Sequence, residues 1–208
     1  MTINIELQRA ASAKSPAERR TTARLGAVLF RNRGWLPVPF VLVPLLAPGD
    51  PTVMHWVVGI CAIALGEAFR LAGVAAAGNV TRRRSRDVQR LVTYGIFAWT
   101  RNPLYLGNLL IWSGFVVVSG VFWFLPLAVA LFAVEYTFIV RYEEGVLESI
   151  FGAEYLAYKR RTPRWAPRPP GRGARGSHDW REAWQSELST FVQYAVLAGM
   201  FVVKGRVG

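Results

Sequence analysis

The chain has 208 residues, 52% hydrophobic and 18% charged, with 25 Lys and Arg against 13 Asp and Glu. A mean hydropathy of +0.25, with the apolar residues gathered in long blocks, excludes a soluble globule and points to a polytopic membrane protein, because one bilayer crossing takes about 20 mostly apolar residues. The formal charge of +12 would raise nucleic acid as a partner of a soluble protein; here the basic residues flank apolar blocks, which assigns them to topology and to anionic lipid headgroups instead.

Residues 1–33 read as a basic cytoplasmic tail that ends in a short interfacial helix at Leu25–Phe30, and Met1–Ala23 lacks the apolar core of a secretory signal. Trp35–Ala47 is a short apolar stretch made irregular by Pro37, Pro39 and Pro44, suited to a tilted span or an interfacial helix. Met54–Ala77 is long enough to cross, although Glu67 and Arg70 interrupt it, and the "APGDP" turn at 47–51 closes a first hairpin. An arginine-rich loop, Gly78–Arg90, follows. Leu104–Val118 and Val121–Val140 form a second hairpin about the short turn Ser119–Gly120, and Gly107 and Gly114, seven apart, share a helix face where close packing is possible.

Beyond the membrane, Arg141–Arg164 carries a polar helical pattern, with Leu147, Phe151 and Tyr155 recurring every four residues. Residues 162–176 are a breaker rich in Pro, Gly and Arg, and Leu188–Val203 is a last short apolar segment. The expected fold is all-α, a polytopic integral membrane protein with about five transmembrane helices. Its divisions are 1–33 (tail), 34–170 (membrane domain) and 171–208 (basic linker and C-terminal hydrophobic helix). Lys and Arg concentrate at Arg9–Arg33, Arg82–Arg90 and Lys159–Arg181, whereas Pro48–Thr52 and Ser119–Gly120 carry none. The positive-inside rule therefore places the basic segments and the N-terminus in the cytoplasm, facing the inner membrane if the source is a bacterium.

Candidate chemistry is narrowed by what is missing. Cys61 stands alone, and His55 and His178 fall at opposite ends of the topology, so no disulfide and no metal site is expected. There is no glycine-rich dinucleotide turn, P-loop or nucleophile elbow. Two blocks remain, Gln89–Gly107 and Arg141–Pro167. In the first, Asn102 is a good helix cap and Pro103 a good first helical residue. Arg101 and Tyr105 then read either as an interfacial anchor and an aromatic-belt residue or as parts of a site. Glu143 and Glu144 read either as surface pairs or as pocket carboxylates. Glu67 and Arg70, at i and i+3 inside a span, suit an ion pair or a contact to a lipid headgroup, which would make them substrate-binding. Glu135 is expected to be the buried partner of an arginine.

Both blocks resemble the integral-membrane methyltransferases related to isoprenylcysteine carboxyl methyltransferase and the phospholipid methyltransferases. "LVTYGIFAWTRNPLYLGN" is similar to that family's L-V-x-x-G-x-[YF]-x-x-x-R-[HN]-P-x-Y-x-G stretch, and "EEGVLESIFGAEYLAYKRRTPRW" to its E-E-x-x-L-x-x-x-F-G-x-x-Y-x-x-Y-x-x-x-x-P ending. The resemblance covers about 80 of the 208 residues and leaves out the N-terminal tail and everything after Pro170. It implies an S-adenosylmethionine pocket lined by Gln89, Arg90, Leu91, Val92, Phe97, Asn102, Pro103, Leu104 and Tyr105, closed by Glu143 or Glu144, with Arg141 beside the reacting group and Glu144 a second catalytic candidate. Phe97 and Asn102 stand where the family often has Tyr and His, which leaves those positions a role in shape or hydrogen bonding.

The cofactor's chemistry agrees with such a pocket. Its carboxylate wants Arg101 or a helix N-terminus, its cationic groups want Glu143 and Glu144, and the rings of Phe97, Trp99 and Tyr105 offer faces to adenine or sulfonium. The function that follows is methyl transfer to the carboxylate or amine of a lipid or isoprenylated acceptor at the cytoplasmic face. The rivals are an NADPH-dependent reductase of the membrane sterol type, whose Arg-His-Pro-x-Tyr element is similar to the first block, and a non-enzymatic adaptor on anionic lipid.

Overall fold

Helix α1 (Pro16–Arg31) lies along the outside of a bundle made by α2 (Val38–Leu46), α3 (Val53–Ala77), α4 (Pro103–Ser119), α5 (Phe124–Phe151) and α7 (Trp180–Val207), with the short α6 (Ala153–Arg161) following α5. The computed structural model describes residues 16–32, 35, 38–78, 90–170 and 175–207, and the described residues include no strand.

α3 begins in a capping box. The Thr52 hydroxyl accepts from the His55 N–H at 3.4 Å, and the Thr52 N–H donates to His55 Nδ1 at 3.0 Å. α3 then runs antiparallel to α4 with the two backbones nearly touching. A Cβ on Gly107 would stand 2.6 Å from the Gly66 carbonyl oxygen, and one on Gly114 would stand 2.7 Å from that of Gly59. The expected small-residue face of α4 is therefore real, and its partner is a second glycine stripe, Gly59 and Gly66, that the sequence reading did not pick out. Gly120, with φ of 72°, turns the chain into α5, and a Cβ there would lie 2.8 Å from the Asp50 backbone. The two turns at 49–51 and 119–120 thus pack together at one end of the bundle.

Three expectations change or narrow. Of the two readings open for Trp35–Ala47, a tilted span and an interfacial helix, the described nine-residue α2, about 14 Å long and less than half the hydrocarbon thickness, fits the second. Its Pro44 carbonyl faces Pro48, which has no N–H to give, and accepts instead from Lys204 Nζ at 2.6 Å. Leu188–Val203 is the inner part of a much longer helix; Trp180–Gly205 is long and apolar enough to cross a membrane, as are α3 and α5, while α4 is a shorter apolar helix. The charged residues of its first two turns hid that length from a hydropathy reading. Finally, Arg141–Arg164 is not one helix: α5 carries straight on from the membrane to Phe151 and breaks at Gly152, whose φ of 50° only glycine adopts readily.

The core between α4 and α5 is aromatic. Phe132 stacks on Tyr136 at 3.9 Å between centroids, and Phe40 and Phe124 extend the same cluster. α7 returns along the other side. Ala183 packs on Leu71, Val74 and Ala75 near its start, and Phe201 packs on Ile111 and Phe115 near its end.

Candidate active site

The end of the bundle away from the two packed turns holds a cavity of about 530 Å³ between α3, α4, α5 and α7, covered by residues 90–97 and by α6. That is within the range of small-molecule sites. Arg90, Leu91, Val92, Phe97, Arg101, Asn102, Pro103, Leu104, Tyr105, Glu143 and Glu144 all line it, so residues up to 54 positions apart in sequence converge on one space. Gln89 lies outside the described residues. Arg141 is exposed and off the wall: on α5 it points roughly 140° away from the face that carries Tyr136, Glu143 and Leu147.

The cover over the cavity is held by Arg101. Its Nη1 donates to the carbonyls of Lys159 at 2.9 Å and Thr162 at 3.1 Å, and its Nη2 meets Glu144 Oε1 at 2.9 Å. Glu144, 5% exposed, also takes Arg164, with Nε at 3.0 Å and Nη2 at 2.5 Å. Around this Arg–Glu–Arg cluster the strand-like segment after α6 is stitched to the entrance of α4. The Arg101 N–H donates to the Pro163 carbonyl at 2.9 Å, the Arg168 N–H to the Trp99 carbonyl at 3.0 Å, and the buried Thr100 hydroxyl to the Arg164 carbonyl at 3.1 Å. Asn102 occupies the cap position, yet its side chain makes no capping bond; Nδ2 donates to the Arg164 carbonyl at 3.0 Å. Arg101, expected to offer its fork to a ligand carboxylate, spends that fork on the protein, and Asn102, expected to cap, also holds the cover.

Closer to the space itself, the Tyr105 hydroxyl donates to Glu143 Oε2 at 2.8 Å, and the Tyr105 ring meets Tyr136 edge to face at 4.7 Å. Tyr155 and Tyr158 of α6 form the ceiling, and the Tyr158 hydroxyl donates to the Phe97 carbonyl at 2.7 Å. Burial pushes both phenols above their ordinary range, so they act as neutral hydrogen-bonding walls.

Deeper in, Arg70 donates to Asn108 Oδ1 at 2.7 Å and to Glu187 Oε2 of α7 at 2.8 Å, and its Nε lies 3.4 Å from Glu67. The Tyr194 hydroxyl donates to Glu67 at 3.0 Å. Arg70 reaches the cavity wall; Glu67 is buried behind it and does not. The pair ties α7 to α3 and places its cation, Arg70, on the cavity wall. Glu135 finds no arginine among the described residues, and its Oε2 is buried without a hydrogen bond.

The sequence reading missed Asn108, Tyr136, Tyr155, Tyr158 and the whole α7 contribution of Glu187, Thr190, Gln193 and Tyr194. Tyr155 and Tyr158 were in view as the F-G-x-x-Y-x-x-Y spacing, and Asn108 stands one turn past Leu104. Within α7 a stripe at spacings of four and three, Ala183, Glu187, Thr190, Tyr194, Leu197 and Phe201, was the available signal.

The two polar motifs thus close on one cavity at the end of an all-helical bundle that includes membrane-length apolar helices. Residues 54–154, just under half of the chain, match the family described as phospholipid methyltransferase. Curated relatives are similar over somewhat more than half of the chain. The protein-S-isoprenylcysteine O-methyltransferase of Homo sapiens is 32% identical over 119 residues, 53% of this chain and 40% of the relative. That of Mus musculus is 32% identical over 117 residues, 52% of this chain and 40% of the relative. Protein-S-isoprenylcysteine O-methyltransferase B of Arabidopsis thaliana is 32% identical over 124 residues, 54% of this chain and 61% of the relative. The chain thus spans between two fifths and three fifths of the length of these relatives. No solved structure matches.

Proposed function

We propose that this protein transfers a methyl group from S-adenosylmethionine to a carboxylate or amine on a lipid or isoprenylated acceptor, at the cytoplasmic face of the membrane, with its N-terminus in the cytoplasm. The observation that carries the reading is the convergence of both motifs on one cavity that reaches from the bundle's polar end down between apolar helices. An acceptor with a hydrocarbon tail can then keep the tail in the bilayer while its polar end enters.

The donor set suits the cofactor. Glu143 supplies a carboxylate for its cationic groups, held in place by the Tyr105 hydroxyl. Phe97, Tyr105 and Tyr155 supply ring faces. With Arg101 and Arg70 engaged by carboxylates, Arg90 at the cavity's edge, which donates to the Tyr94 hydroxyl at 3.0 Å, is among the described residues the cation placed for the cofactor's carboxylate, together with the first-turn N–H groups of α4, which have no intrahelical partner. When bound, the cofactor provides a methyl group on a sulfonium, a leaving group already activated for in-line displacement. The protein's part is alignment and exclusion of water. The Arg101–Glu144–Arg164 cluster keeps α6 and its two tyrosines over the space, and Glu144 on this reading positions the cover instead of touching the reacting atoms.

Ligand-induced stabilisation of the detergent-purified protein tests this directly. S-adenosylhomocysteine at 100 times its dissociation constant should add about 2.7 kcal/mol of apparent stability, and NADPH should add none. Stabilisation by NADPH alone would establish the reductase alternative, and stabilisation by neither would favour the adaptor. Mass analysis of lipids from cells with and without the protein then identifies the acceptor.

A further inference from the structure

The cavity does not end where the cofactor-binding motifs end. Its inner part, about 8 Å below the start of α4 at the level of Asn108, is walled on one side by α7, which lies wholly outside the matched segment 54–154. The inward stripe of α7 changes character at this level. Toward the far end it is apolar, Leu197 and Phe201, and packs on Phe115. Beside the cavity it is polar, Glu187, Thr190 and Tyr194, with Gln193 on the flank.

Glu187 and Tyr194 are engaged by Arg70 and Glu67. Thr190 and Gln193 line the cavity and make no hydrogen bond to any described residue. Polar side chains on a membrane-crossing helix are costly unless a partner meets them. A bare hydrocarbon chain lying here would leave the half-buried Thr190 hydroxyl without a partner and would make no use of the Gln193 amide at the exposed flank, both neutral groups that donate and accept. Across from them α4 presents Ile111 and Trp112 one turn below Asn108, so the space is polar at that level and oily beneath it.

We propose that α7 forms an acceptor-specificity subsite, in which Thr190 and Gln193 hydrogen-bond a neutral polar group, a hydroxyl or an amide, carried by an amphiphilic acceptor next to its tail. This rests on the methyltransferase reading for its place in a reaction, but its binding preference is measurable without it.

The test compares two probes of equal chain length, 1-lauroylglycerol with two free hydroxyls and methyl laurate with none, by titration of the full-length protein in detergent. Wild type should bind the glycerol ester at least tenfold more tightly. Thr190→Val with Gln193→Leu should reduce that preference at least fivefold while changing affinity for S-adenosylhomocysteine less than twofold, and Thr190→Ser in place of Thr190→Val should recover part of it. If the double variant does not fold, Gln193→Leu alone, at an exposed position, should still lower the preference at least twofold. Equal binding of the two probes by wild type, or a preference that survives these substitutions, overturns the proposal. Failure of S-adenosylhomocysteine to bind wild type would instead overturn the methyltransferase reading and leave the probe comparison standing.

Discussion

Arg101→Lys separates a residue that holds the cover from one that holds the ligand. The guanidinium, 10% exposed, makes three hydrogen bonds, two to the carbonyls of Lys159 and Thr162 and one to Glu144. A lysine ammonium is a single point on a flexible stem and cannot reach donors to both sides of that fork. Two bonds from a charged donor are lost, each worth about 1.5–3 kcal/mol in such surroundings. Glu144 keeps Arg164 and is not stranded, which holds the expected net cost to about 2–4 kcal/mol. Denaturant or thermal melts in detergent should show this loss, and hydrogen exchange should quicken most at residues 159–165. Combining the change with Glu144→Gln should give a coupling energy of about 1–3 kcal/mol, as for residues in one network. Binding of S-adenosylhomocysteine should weaken as well, as a consequence of the loosened cover. An Arg101→Lys protein with unchanged stability and exchange but tenfold weaker ligand binding would refute this reasoning and return Arg101 to direct contact with the cofactor.

Glu143→Gln should leave the protein folded and weaken S-adenosylhomocysteine binding by about 1.5–3 kcal/mol, the scale of a charge-assisted bond; unchanged affinity in a calorimetric titration would remove Glu143 from the site. Gly107→Ala places a Cβ 2.6 Å from the Gly66 carbonyl and should cost about 1–3 kcal/mol in a melt, whereas Gly145→Ala, with nothing within 4 Å, should be neutral or slightly stabilising. On a Cys61→Ser background, Thr52→Cys should be labelled by an impermeant reagent from outside the cell and Glu154→Cys only after permeabilisation; the opposite result reverses the proposed orientation. Tyr155 and Tyr158 keep their protons above the ordinary value of 10.0, so the folded state binds more protons than the unfolded one at alkaline pH. Stability is then level below about pH 10 and falls as pH rises further, a slope that Tyr158→Phe should reduce in pH-dependent melts.

The sequence by itself determined the parts of this protein that depend on local composition and spacing. Apolar blocks long enough to cross a bilayer became α3 and α5, Pro103 became the first residue of α4, and Gly107 and Gly114 became the face on which two backbones touch. The motif residues from Arg90 to Tyr105 and the pair Glu143–Glu144 were legible as neighbours of one cavity because their chemistry is written in short stretches. Which residue does what within that cavity was decided only by tertiary structure. Arg101 could have faced a ligand or the protein, and the choice fell to three acceptors 43 to 61 residues away. The Glu67–Arg70 pair could have been complete at i, i+3, and instead it reaches 117 residues along the chain to Glu187. α7 was the least legible element because its charged first turns lower its hydropathy, while the ion pair that makes the buried Glu187 tolerable exists only once α3 stands opposite with Arg70. Local sequence fixes what a side chain can offer; the distant segment that folds against it decides whether the offer is already taken.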